Sequence, residues 1–192
     1  MVSELNTKAI ALTAVFTAIA IVLTPVAVPA GYLQGFFYRF WEIPLVAAFL
    51  LLGPKIGVTV TLLRTLAELT LFPSPAGILA PLFALLSTLA MLLGIYLGGM
   101  FLKHKAQVDE KYGVRSIGFY TAFGTLFRTI CAPFVSYVIF RFFVGFSDVQ
   151  VIALMPIFAV FALTLSLYTI PVGYLLAKVV SRSLKPGNRF DM

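Results

Sequence analysis

Four ionisable side chains sit where an apolar chain would ordinarily hold none. Arg64 and Glu68 interrupt one hydrophobic run, Arg128 interrupts another, and Glu42 stands at the head of a third. A charge inside a membrane span costs at least about 2.5–3.5 kcal/mol on insertion scales, so such residues face a cavity, a partner, or both. Arg64 and Glu68 are four apart, on one helical face and within pairing distance. Two chemistries are open to the set. The charges can line a pocket for a polar guest, or they can tie helices together as Arg64–Glu68 and Arg128–Glu42 pairs. Tyr32 and Gln34, in the aromatic, glycine-bearing stretch from Pro29 to Phe40, could add contacts to a guest, as could Tyr168 beside Thr164 and Ser166. The same rings also suit an interfacial belt, and the hydroxyls suit bonds to helix backbones.

Only a membrane-embedded scaffold can position these groups. Of 192 residues, 61% are hydrophobic and 11% charged, against about 25% charged in soluble domains. Mean hydropathy is +1.04. That composition excludes a cytosolic enzyme, a disulfide-built secreted domain and a disordered chain. Pro, Gly and charge clusters divide the chain into six apolar segments, near Lys8–Val28, Trp41–Gly53, Ile56–Phe72, Ile78–Leu102, Ser116–Val144 and Val149–Val180. The second is short for a span of about 20 residues. The last two are long, with kinks expected at Pro133, Pro156 and Pro171. The first is longer than the apolar core of a signal peptide and has one basic neighbour, Lys8, which favours a retained helix. The expected architecture is an all-α membrane protein of six transmembrane helices, residues 1–192 forming a single transmembrane domain.

Charge sets the orientation. Six spans gather Lys8, Lys55, Lys103, Lys105, Lys111, Arg115, Lys178, Arg182, Lys185 and Arg189 on one face, 10 of the 14 basic residues. The positive-inside rule makes that face cytoplasmic, with both termini on it. Arg39 and Arg141 alone fall near outer loops. The net charge of +7 therefore speaks of topology and anionic headgroups rather than nucleic acid, in a multi-pass protein of the cell membrane. At 1.5 Å per residue, Arg64 lies about 10 Å, Glu68 about 16 Å and Arg128 about 20 Å above the cytoplasmic end. Glu42, Glu68 and Arg128 thus converge on the outer half of the membrane, with Arg64 just below. A pocket there would open outward, with the Pro29–Phe40 stretch as its lid.

Other chemistry finds little support. One cysteine, Cys131, and one histidine, His104, make no metal set. No phosphate-binding loop, HExxH or GxSxG motif occurs. No cofactor and no catalysis are expected, and any concentrating transport would draw on an ion gradient or on partner subunits. Ala14 and Ala18 in the first segment, and Gly94 and Gly98 in the fourth, form small-residue faces that serve either internal packing or a partner.

The run Ile43-Pro44, then Ala47-Ala48-Phe49-Leu50-Leu51-Leu52-Gly53-Pro54-Lys55-Ile56-Gly57, resembles the second-span signature of the substrate-binding S components of energy-coupling factor (ECF) transporters, nearest to the riboflavin-type members. The resemblance implies capture of a vitamin or related micronutrient from outside, under the loop joining the first two helices. It also implies that Ala14 and Ala18 contact a transmembrane T component, which carries two ATPase subunits that drive uptake. This chain has Glu42-Ile43-Pro44 where the riboflavin-type pattern often has Asp before the proline, and no lysine in the sixth span before Lys178. Its arginines suit a ligand with a carboxylate or another acceptor-rich group. The residues alone leave a rival open: an autonomous carrier or channel that oligomerises through Gly94 and Gly98.

Overall fold

A computed structural model of the protein describes residues 7–31, 37–72, 77–105 and 114–183. Six helices follow the six apolar segments: α1 Thr7–Val22, α2 Glu42–Leu52, α3 Pro54–Leu71, α4 Leu79–Lys105, α5 Val114–Val138 and α6 Asp148–Ser183. The first apolar run does not stay helical to Val28 as expected. α1 stops at Val22, ahead of Pro25, which cannot donate to the helix and disfavours helical backbone at Thr24. The chain then forms a hairpin in place of the expected loop. Its strands are β1 Ala27–Pro29 and β2 Phe37–Arg39, antiparallel with Val28 opposite Tyr38.

Among the described residues three helical stretches are long and apolar enough to cross a membrane: Leu79–Leu102, Arg115–Val144 and Asp148–Ser183. The second of these continues α5 through a π-helical turn, Ile139–Val144, that ends on left-handed Gly145. Pro133, Pro156 and Pro171 all lie within continuous helix. α2 is short, as its apolar segment is. Its 11 residues rise about 16 Å, half of a hydrocarbon core of about 30 Å, so α2 does not cross a bilayer alone.

The reason for α2's shortness is its position. Leu45, Val46, Ala47 and Ala48 are fully buried, because the helix is apolar on every side and is packed by α1, α3 and α6. It turns into α3 at Gly53, whose φ of 98° is open to glycine, and Pro54 starts α3 in the first helical turn, where its missing N–H costs nothing. Glycines let the neighbours approach closely. A Cβ on Gly57 would strike Phe49, one on Gly173 would strike Val46, and one on Gly94 would overlap the Phe123 carbonyl.

The outside of the bundle is apolar, and the charged side chains of its spans lie within, beside an apolar core. Leu66, Leu126, Ile130, Phe134 and Leu175 are more than half exposed, while Glu42, Arg64, Glu68 and Arg128 are buried. That inversion suits a lipid solvent, where apolar side chains face outward and charges find partners within.

Candidate functional site

The buried charges assemble on the ends of α2 and α3 nearest the hairpin. Glu42 opens α2 and receives Arg128 of α5 in a two-pronged pair, Nη1 to Oε2 at 2.5 Å and Nη2 to Oε1 at 2.6 Å. Two α4 hydroxyls complete this half. Ser87 Oγ accepts from Arg128 Nε at 3.0 Å, and Thr88 Oγ1 donates to Glu42 Oε1 at 3.3 Å. Arg128 Nη1 also reaches the Met91 sulfur. α2, α4 and α5 are therefore joined by one planar, charge-assisted contact, the geometry that guanidinium and carboxylate favour.

The second half centres on Glu68. Its Oε2 accepts from Arg64 Nη1 at 2.5 Å, and its Oε1 accepts from Arg39 Nη1 at 2.8 Å. The first is the pair that the four-residue spacing on α3 predicts. The second ties the hairpin to α3. Arg64 is wholly buried, with its guanidinium carbon 3.5 Å from the centroid of the Trp41 ring, a cation–π contact. Trp41, on which Arg64 is stacked, directly precedes Glu42, so the two halves adjoin at the head of α2.

Over this network the hairpin is strapped to α6. Tyr168 Oη donates to the Arg39 carbonyl at 3.0 Å, and Tyr38 Oη shares a 2.8 Å hydrogen bond with Thr164 Oγ1. The Tyr38 ring stacks on Phe161 and meets Tyr168 edge-on. Tyr168 thus stands under the hairpin. Ser166 instead bonds the Ala162 carbonyl of its own helix. Tyr32 and Gln34 lie outside the described residues.

The charged residues converge, but on one another. Two apolar grooves face outward elsewhere. One, of about 390 Å³, runs between Leu62, Leu66 and Leu69 of α3 and Leu82 and Leu85 of α4. The other, of about 280 Å³, lies between Thr125 and Leu126 of α5 and Leu163 and Leu167 of α6. Gly94 and Gly98 are covered by Phe119 and Phe123 of α5, so the surface invoked for oligomerisation is internal packing. Ala14 and Ala18, by contrast, are exposed beside exposed Val15 and Ile19. Among the described residues no group of three His, Cys, Asp or Glu side chains could hold a metal ion. Sequence reasoning missed Trp41, Arg39 and Ser87. The available signals were a lone tryptophan directly before Glu42, and a Ser87-Thr88 pair inside an apolar run.

No family profile and no curated protein matches the chain. Solved structures do. The chain is similar to the S component of a bacterial ECF transporter, with a TM-score of 0.71 and 22% identity over 93% of this chain and 98% of that one. It is also similar to the S component for biotin from an ECF-type ABC transporter, with a TM-score of 0.57 and 17% identity over 93% of this chain and 95% of that one. The fold is that of ECF S components, as the resemblance in the second segment leads one to expect.

Proposed function

We propose that this protein is the substrate-binding S component of an ECF-type ABC transporter. It captures a vitamin or related micronutrient from outside the cell, and a transmembrane T component with two ATPase subunits drives uptake. Both termini lie in the cytoplasm, the six helices sit in the cell membrane, and the hairpin faces outward. The observation that carries this reading is the likeness of fold to an S component along 93% of the chain. Two features support it. The hairpin lies over a buried ionic network, as a lid over an outer binding region would. The alanine face of α1 is open to a partner, whereas the glycine face of α4 is filled from within. Tyr32, Gln34, Glu42, Arg64, Glu68, Arg128 and Tyr168 are the proposed binding region, with Glu42 and Arg128 holding its helices in place.

The test is direct. Protein purified in detergent from vitamin-replete cells is denatured, and the released small molecules are identified by mass spectrometry. A vitamin-sized solute at near one equivalent is expected. Absence of any such solute, together with solute flux through liposomes holding this chain alone, would establish an autonomous carrier instead.

A further inference from the structure

The two buried arginines differ in what they leave unused. Every nitrogen of Arg128 is engaged by Glu42, Ser87 or Met91. Arg64 engages only Nη1, on Glu68. Its Nε and Nη2 are buried with no acceptor among the described residues, and the same holds for Nε1 of Trp41. Because the guanidinium lies over the Trp41 ring at 3.5 Å, these three donors belong to one place beside the head of α2. A donor left without an acceptor in a low-dielectric interior is costly, and three together are not an accident of packing.

Charge points the same way. Among the described residues buried Arg64 and Arg128 balance buried Glu42 and Glu68, and Arg39, whose side chain is 36% exposed, adds one positive charge at the network's outer edge. Buried charge in a membrane protein is ordinarily balanced by a partner. The complement of three buried donors beside a positively charged edge is an acceptor-only, anionic group. We infer that the captured solute is an anion whose carboxylate docks on Nε and Nη2 of Arg64 and on Nε1 of Trp41. This rests on the receptor reading above and assigns its substrate class. A carboxylate matches the Nε–Nη2 edge with two parallel hydrogen bonds, and stacking on Trp41 holds that edge in one plane. A carboxamide would turn its own NH₂ toward donors. Arg128 has no such edge free, and it serves by positioning Glu42.

Trp41 is the chain's only tryptophan, so its emission reports on this spot. The full chain, freed of bound solute in detergent, is titrated with acid and amide pairs, namely biotin and biotinamide, pantothenate and panthenol (its alcohol), nicotinate and nicotinamide. Riboflavin serves as a neutral vitamin, and equilibrium dialysis runs in parallel. We expect one acid to bind and to change Trp41 emission, with its neutral counterpart at least tenfold weaker. Arg64→Lys keeps a cation for Glu68 but loses the planar fork. It should weaken the acid at least tenfold and the neutral counterpart by less, so that the preference for the acid falls at least several-fold. Riboflavin or a neutral counterpart binding as tightly as any acid would overturn the assignment, as would acid binding unaltered in Arg64→Lys. Failure of all these compounds to bind would overturn it as well. In either case the receptor reading stands or falls separately, on whether a solute co-purifies.

Discussion

A buried guanidinium–carboxylate pair behaves asymmetrically under mutation, because removing one member leaves the other charged and unpaired. Glu42→Ala strands Arg128 among α2, α4 and α5, and it should destabilise the fold by about 3–5 kcal/mol. Replacing both members, as Glu42→Leu with Arg128→Met, should recover most of that loss. Detergent thermal melts compare the two, and a double variant no more stable than Glu42→Ala would show that the pair's hydrogen bonds to Ser87 and Thr88 matter more than its charge. At this scale the sequence was legible wherever the partner lay on the same helix. The four-residue spacing of Arg64 and Glu68 is a local geometric fact, and the pairing is present in the fold at 2.5 Å. The Arg128–Glu42 pair could be named because few buried charges compete for partners. Arg39 and Trp41 could not, since their contacts depend on a hairpin whose closure over α3 no spacing announces.

Helix positions were readable to within a few residues because lipid demands long apolar runs and because Gly53-Pro54 and Pro25 are strong breakers. What failed was the role of particular elements. α2 reads as a span by hydrophobicity alone, but all-round apolarity equally describes a short helix enclosed by neighbours. The α4–α5 seam makes a sharper test. Gly94 meets the Phe123 carbonyl and the Gly124 backbone, neither of which is the movable end of a side chain. Gly94→Val should therefore cost about 1–3 kcal/mol, as overpacking does, without altering oligomeric state by light scattering. Loss of a wild-type oligomer in this variant would restore the oligomerisation role. The hairpin carries its own prediction. The Arg39–Glu68 pair is 36% exposed on the arginine side, so Arg39→Gln should change stability by no more than about 1 kcal/mol. If the hairpin is the lid, the same change should speed solute release several-fold in a dissociation assay. An unchanged off-rate would assign the lid's closure to Tyr38 and Tyr168 instead.

For the molecule as a whole, the two small-residue faces that looked alike in the sequence have opposite fates. The motif reports only that a backbone can be approached closely; which backbone does the approaching is decided by the surrounding helices. α5 fills the α4 face, while Ala14 and Ala18 of α1 remain exposed next to Val15 and Ile19. Substituting leucine at both alanines thus adds volume on the outside of the bundle, where nothing among the described residues opposes it, and the melting midpoint should stay within the spread of surface substitutions, about 0.5 kcal/mol. Solute binding by the purified protein should be unchanged. If α1 is the face that a transmembrane partner grips, the bulk should prevent close helix approach, and uptake by cells carrying the ATPase module should fall at least tenfold, with the partner no longer recovered by co-purification. Uptake that survives the substitution would move the docking surface to another face, and the outward-facing leucines along the α3–α4 groove would be next to substitute.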